Sequence, residues 1–341
     1  MTSVRLNRSR QAPPVEVDFA LAPGLTALAG PAGAGQSVIL AAIAGLVRPD
    51  AGRILVEDAI VYDGESGVNL PPQRRQVGYV GPNDALFARM TVKQNLMFAA
   101  QRWARLERHK RVADMAERFG LAAAMESRPA QLNGPQRLIC AVARALLAEP
   151  KLLLIDDRGT DEALTAKIRE AFSGPVLIVT GDFDLCYAEA DSLILLEGGR
   201  VVQRGPAREV IESPASVEAA RLLGIANLFA AQITALDPGR NTSLLSCEGF
   251  ELRAPYLPGH FKGDRVTVAV RAEDVRVQAC GGERGVNCVE PELRRVSERT
   301  RRVRLEFDRG ITAEVSREQW AGQRDNRSWR VEFPSAALRV F

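Results

Sequence analysis

Gly30-Pro31-Ala32-Gly33-Ala34-Gly35-Gln36-Ser37 is the stretch around which this chain is read. It fits the phosphate-binding pattern G-x-x-x-x-G-K-[ST] at Gly30, Gly35 and Ser37, and departs from it where glutamine stands for lysine. Each residue type in the pattern has a task. Glycines let the backbone curl until successive N–H groups point at one anion. The following helix adds its positive N-terminal end. The Ser37 hydroxyl would hold Mg²⁺, and a lysine would reach the β- and γ-phosphates as a point charge. Gln36 donates a hydrogen bond but carries no charge. A hydrogen bond to a charged group contributes about 1.5–3 kcal/mol, so its loss weakens phosphoryl transfer more than it weakens binding. On this stretch alone, the competing reading is a Gly/Ala-rich strand-to-helix turn that binds nothing.

Outward from the loop, strands and helices alternate. Val15 to Leu21 alternates apolar and polar residues, and Leu25 to Ala29 is a short apolar strand running into the loop. Ser37 to Leu46 is a helix that is apolar nearly all round, hence buried. Arg53 to Tyr62 reads as a strand pair, Leu70 to Arg75 as a basic turn, and Val77 to Val80 as a strand. Thr91 to Trp103 is helical, with Thr91 and Gln94 forming a capping box. Arg111 to Phe119 repeats that pattern and Gly120 ends it. A third helix covers Leu138 to Leu147. The apolar runs Leu152–Ile155 and Val176–Val179 fit central parallel strands covered on both faces. Leu193 to Val202 is a hairpin turning at Gly198-Gly199. Together they predict an α/β sandwich.

The chain has 341 residues and a net charge of +3, too small a balance to argue for a nucleic-acid partner. The cysteines are Cys140, Cys186, Cys247, Cys280 and Cys288; none forms a C-x-x-C pair, which points to reduced thiols. Two histidines make a metal centre a poor expectation. The N-terminus has charge but no apolar core, unlike a signal peptide. No apolar run near it approaches a membrane span.

Near residue 228 helical periodicity gives way to short β-like segments. Val266–Val277 resembles Trp329–Val340 at an offset of 340 − 277 = 63 residues. Two copies of one small β-barrel explain this repeat. The expected organisation is residues 1–227 as a nucleotide-binding domain, with a helical subdomain at about 88–148. An all-β domain at 228–341 would follow, with repeats at about 228–280 and 286–341.

The order of landmarks resembles the ATPase subunits of ABC importers. The resemblance is strongest to the molybdate-transport group, with sulfate-type relatives next. AIAGLVRPDAGRI, LPPQRRQVGYV, LFARMTVKQNLMFA, ARALLAEPKLLLIDD and LLEGGRVVQRG carry it over nearly the whole chain. It implies an ABC-type P-loop ATPase followed by paired small barrels, binding ATP and Mg²⁺. Gly30, Gly33, Ala34, Gly35, Gln36, Ser37 and Val38 would cradle the nucleotide. Ser37 and Asp156 would hold Mg²⁺, and Asp157 stands where a glutamate general base is expected. Asn133, Gly134 and Gln136, in Leu132-Asn-Gly-Pro-Gln136, would clasp a γ-phosphate held by a partner subunit. Leu86-Phe87 with Val92, Leu96 and Met97 would receive a permease's coupling helix.

The resemblance also marks departures. The coupling glutamine falls at Pro82, Pro135 deletes a signature amide, and Gly181 replaces the γ-phosphate-sensing histidine. Arg158-Gly159-Thr160 replaces a proline-containing turn, and Gln11–Val15 offers no aromatic for adenine. Together they predict impaired hydrolysis. The implied partners are integral-membrane permease subunits and a second ATPase, either itself or a paralogue. Its place would be the cytoplasmic face of the membrane. The alternative is a non-hydrolytic regulatory scaffold that binds an oxyanion through its tail, where Asn287 lies at the position of that group's asparagine motif. The arginines at 294, 295, 299, 301, 302 and 304 form a basic cluster, but interleaved Glu292, Glu298 and Glu306 favour a solvated strand face over an anion site.

Overall fold

The computed structural model describes residues 1–9, 12–82, 85–157, 159–279, 286–300, 302–324, 326 and 328–341. Gln11, Arg158, Cys280 and Arg301, named above, lie outside them. The chain divides into two compact units, Met1–Ser213 and Pro214–Phe341.

The first unit opens with three strands, β1 (Thr2–Arg8), β2 (Val15–Leu21) and β3 (Gly24–Ala29). The phosphate loop then leads into α1 (Gln36–Ala44). Strands β4 (Ala51–Val56), β5 (Ala59–Asp63), β6 (Val68–Asn69) and β7 (Val77–Val80) follow. Helices α2 (Val92–Ala99), α3 (Arg105–Arg118) and α4 (Gly134–Leu147) pack on one another. The unit closes with β8 (Leu152–Ile155), α5 (Glu162–Ala171), β9 (Pro175–Val179), α6 (Phe183–Glu189), the hairpin β10 (Ser192–Glu197) and β11 (Arg200–Pro206), and α7 (Ala207–Glu212). The strands form one sheet in the order β6-β5-β4-β1-β2-β11-β10-β3-β9-β8-β7. From β10 to β7 neighbouring strands run parallel, and these strands are the continuous apolar runs of the sequence. This is the predicted α/β architecture.

Three local differences have physical reasons. β1 is a strand whose Thr2, Val4, Leu6 and Arg8 face inward, an alternation hidden by the charge of the N-terminus. Helix α2 ends at Ala99 rather than Trp103, because the Trp103 ring lies under the Arg111 guanidinium, 3.6 Å from the ring centroid. Helix α3 starts six residues before the expected Arg111. Its first turn carries Glu107, which pairs with Arg111 at 2.7 Å.

The second unit begins with α8 (Val217–Leu222) and is otherwise mostly β. β12 (Asn227–Asp237), β13 (Thr242–Cys247), β14 (Phe250–Pro255) and β15 (Arg265–Val270) precede the short β16 (Arg276–Ala279) and β17 (Cys288–Val289). Then come β18 (Leu293–Glu298), β19 (Arg302–Phe307), β20 (Thr312–Ser316), α9 (Arg317–Ala321), β21 (Trp329–Glu332) and β22 (Arg339–Val340). One core joins these sheets, with Phe229, Phe333, Trp320 and Trp329 inside it. The 63-residue repeat is built as an exchange. β15 pairs with β22, placing Val268 opposite Val340, while β16 pairs with β21, placing Val277 opposite Val331. Since 268 + 63 = 331 and 277 + 63 = 340, the two pairings are one register repeated.

Two buried asparagines repeat the symmetry. Asn227 donates to Val270 O (3.2 Å) and Thr312 O (2.8 Å) and accepts from Thr312 N (2.7 Å). Asn287 donates to Phe333 O (3.0 Å) and Arg253 O (2.9 Å) and accepts from Arg253 N (2.6 Å). Each ties its own repeat to the other. Truncating one leaves buried backbone groups unpaired, at about 1–3 kcal/mol for each. Asn227→Ala and Asn287→Ala should each destabilise this unit by about 2–4 kcal/mol. Urea unfolding followed by tryptophan emission will read this, and unchanged midpoints would remove the clamp role.

Candidate nucleotide-binding site

The carboxyl ends of β3, β9, β8 and β7 lie side by side, because Thr180 N donates to Leu28 O and Asp156 N to Val80 O. Ligands of open α/β sheets bind at such an edge. The segments leaving it are Gly30 onward, Thr180-Gly181-Asp182, Asp156-Asp157 and Gly81-Pro82. The sequence-predicted loop, the Mg²⁺ aspartate and the two departures Pro82 and Gly181 therefore share one edge.

Helix α1 makes the loop possible. At its carboxyl end Arg75, only 1% exposed, donates to Ala42 O (2.7 Å), Ile43 O (3.0 Å), Leu70 O (2.7 Å) and Asn69 Oδ1 (2.7 Å). Burial lowers its pKa, yet the guanidinium sits on the negative end of the helix dipole. The basic turn foreseen at Leu70–Arg75 thus contains a structural pin. Gly45 ends α1 at φ +84°, and a Cβ there would lie 2.5 Å from Arg75 Nε.

At the amino end Gly35 takes φ +105° and no side chain caps the helix. The first N–H groups of a helix lack intrahelical acceptors, so those of Gln36, Ser37 and Val38 are available to an anion. Gly33 has φ +82°, with no atom within 4 Å of where a Cβ would stand. Ser37 is exposed, and its Oγ donates to Asp156 Oδ1 at 3.0 Å. A hydroxyl and a carboxylate are the oxygen ligands that Mg²⁺ prefers. The cradle, Ser37 and Asp156 therefore fit the α- and β-phosphates of a Mg-nucleotide. Tyr79 Oη lies 3.5 Å from Asp156 Oδ2; burial, and then the Asp156 charge and hydrogen bond, push the phenol up to about 12.

The remaining groups fit a γ-phosphate poorly. Gln36 is 5% exposed and turns inward; its Nε2 donates to Gly30 O at 2.9 Å and Pro31 O at 3.4 Å. Asn133 and Gln136 form a reciprocal cap on α4. Gln136 N donates to Asn133 Oδ1 (2.8 Å) and Asn133 N to Gln136 Oε1 (3.1 Å). Pro135 sits at the second helical position, where it suits the helix start and supplies no amide. Asp157 Oδ1 accepts from Gly159 N at 2.7 Å. Gly181 lines an open concavity of about 610 Å³ with Thr180, Asp182, Phe183 and Asp184, and puts no side chain into it.

Away from this edge, Val92 and Leu96 are buried within the helical segment, while Phe87 and Phe98 are exposed and meet edge to face at 4.7 Å. The sequence reading missed Phe98, whose neighbours' periodicity drew attention to the opposite helix face. In the second unit the Asn287 carboxamide is engaged by backbone and by Ser335 Oγ at 3.1 Å. The arginine cluster is answered by carboxylates: Arg294–Glu292 at 3.0 Å, Arg304–Glu306 at 3.4 Å and Arg299–Glu314 at 3.7 Å. Among the described residues no helix is long and apolar enough to cross a membrane.

The fold and this edge define a P-loop nucleotide-binding protein. The family model described as ABC transporter matches residues 16–158. A molybdenum import ATP-binding protein of Rhodospirillum rubrum is 34% identical over 284 residues, covering 81% of this chain and 76% of the relative. A molybdate/tungstate import ATP-binding protein of Archaeoglobus fulgidus is 36% identical, covering 63% and 90%. A solved structure of an ATP-binding subunit of an ABC transporter superposes with a TM-score of 0.54 at 26% identity, covering 65% of this chain and 98% of that one. The chain belongs to the ATP-binding subunits of ABC transporters, a family that binds ATP with Mg²⁺.

Two predictions test the site's supports. Arg75→Met leaves four acceptors without their cation and should destabilise the first unit by about 3 kcal/mol, read by chemical denaturation; an unchanged midpoint would mean that water replaces the pin. The raised phenol of Tyr79 means that the unfolded chain loses its proton first as pH climbs from 10 toward 12. Stability therefore falls over that window. Tyr79→Phe should flatten this part of the alkaline limb, and an unaltered pH profile would exclude it.

Proposed function

We propose that this chain is the nucleotide-binding subunit of an ABC importer of molybdate-class oxyanions, with impaired ATP hydrolysis. The carrying observation is Gln36: the position that should present a cation to the phosphates instead presents a carboxamide bonded to its own loop. Similarity to a molybdenum importer's ATP-binding protein across 81% of the chain supports the transport assignment. The subunit would sit peripherally on the cytoplasmic face, docked to a permease. It would pair with a second copy or with a paralogue that supplies a competent site. The intact cradle, Ser37 and Asp156 support retained Mg-nucleotide binding. Asp157 keeps a carboxylate where a base is wanted. It is one methylene shorter than glutamate, and a misplacement of about 1 Å can lower rate about a hundredfold. The oxyanion-scaffold reading gains less support, because the Asn287 carboxamide is engaged inside its own unit.

The test is MgATP binding and turnover on the purified chain beside the Gln36→Lys/Gly181→His variant. The parent should bind nucleotide and release phosphate at background. The variant should gain about tenfold or more, since about 1.4 kcal/mol of restored charge stabilisation is tenfold. Parent turnover well above background would overturn the impaired-hydrolysis reading.

A further inference from the structure

The groups at the candidate site sort by the part of a nucleotide they can serve. Those suited to a diphosphate and its Mg²⁺ are present: the free amides of Gln36, Ser37 and Val38, the Ser37 hydroxyl and Asp156. Those suited to one further phosphate are engaged or missing. Gln36 Nε2 is held by Gly30 O and Pro31 O. Of the first three amides of α4, which would face a phosphate held by a second subunit, Pro135 has none and that of Gln136 is taken by Asn133, leaving Gly134. A γ-phosphate adds negative charge, and such charge gains from a protein only through cations or free donors placed at it. The side chain of Gln36 is turned to its own loop, and Pro82 and Gly181 offer no side-chain cation or donor.

We propose that this site recognises the diphosphate portion of a Mg-nucleotide and is blind to the γ-phosphate. ADP and ATP are then held alike, and neither changes the association state of the chain. The nucleotide is a resident structural cofactor, and its hydrolysis state carries no signal through this chain. The inference rests on the nucleotide-binding reading and narrows it to a ligand class.

The experiment titrates the full-length chain with MgADP and with the magnesium complex of a non-hydrolysable ATP analogue, by calorimetry. Molar mass at saturation is measured by light scattering. The two affinities should agree within about threefold, a difference near 0.65 kcal/mol, and the mass should be the same with either. Ser37→Ala should weaken both ligands equally in Mg²⁺ and neither in EDTA. An analogue bound about tenfold or more tighter than ADP, or a dimer formed with the analogue alone, overturns γ-blindness and leaves nucleotide binding standing. Absence of binding by both ligands overturns the nucleotide reading itself.

Discussion

The phosphate loop depends on a helix that is compensated at one end only. Arg75 reaches 33 residues back to the last carbonyls of α1 and satisfies them from within the core. The opposite end has no capping side chain. A helix with its negative pole covered by its own chain and its positive pole bare is prepared for an anion before any side chain of the loop takes part. On the function proposed above, a loop without lysine would retain most of what positions a phosphate while lacking what stabilises its transfer. Gly45 belongs to the same device, since any larger residue there would displace the guanidinium.

Much of this architecture was legible in the sequence. β7 and β8 fall where their apolar runs predict, and the capping box at Thr91 and Gln94 is formed at both bonds. These are local signals, set by periodicity and short-range hydrogen bonding. Arg75 was illegible because arginine in a turn is ordinarily solvated, and its burial is decided by carbonyls distant in sequence. The direction of Gln36 was equally hidden. A carboxamide serves a ligand or a backbone carbonyl with the same atoms, and only the position of Gly30 O decides between them. β1 was obscured because the charges of outward-facing Arg5 and inward-facing Arg8 mask its alternation.

The second unit shows the same division. The offset of 63 residues is plain in the sequence, but not that the copies exchange strands. β15 of the first copy finds its partner in β22 of the second, and β16 in β21. Neither copy can therefore complete its own edge, and unpaired strand edges are a liability that exchange removes. Asn227 and Asn287 reinforce this by bonding across copies. An asparagine at a motif position is thus explained by the architecture without a ligand.

The glycines of the phosphate loop do not all testify to nucleotide either. A Cβ at Gly30 would lie 2.2 Å from Leu196 O, and one at Gly35 would lie 2.8 Å from Val15 Cγ2. Packing against β10 and β2 requires both glycines whether or not a phosphate binds. Gly33 is different. Its φ of +82° favours glycine, yet no atom lies within 4 Å of its Cβ position, so no neighbour demands that the backbone turn there. Ser37 is likewise exposed and bonded to the Asp156 carboxylate rather than capping its own helix. The packing of the fold accounts for Gly30 and Gly35 but not for Gly33 and Ser37, and it is on these two, with Asp156, that the proposed Mg-nucleotide site rests.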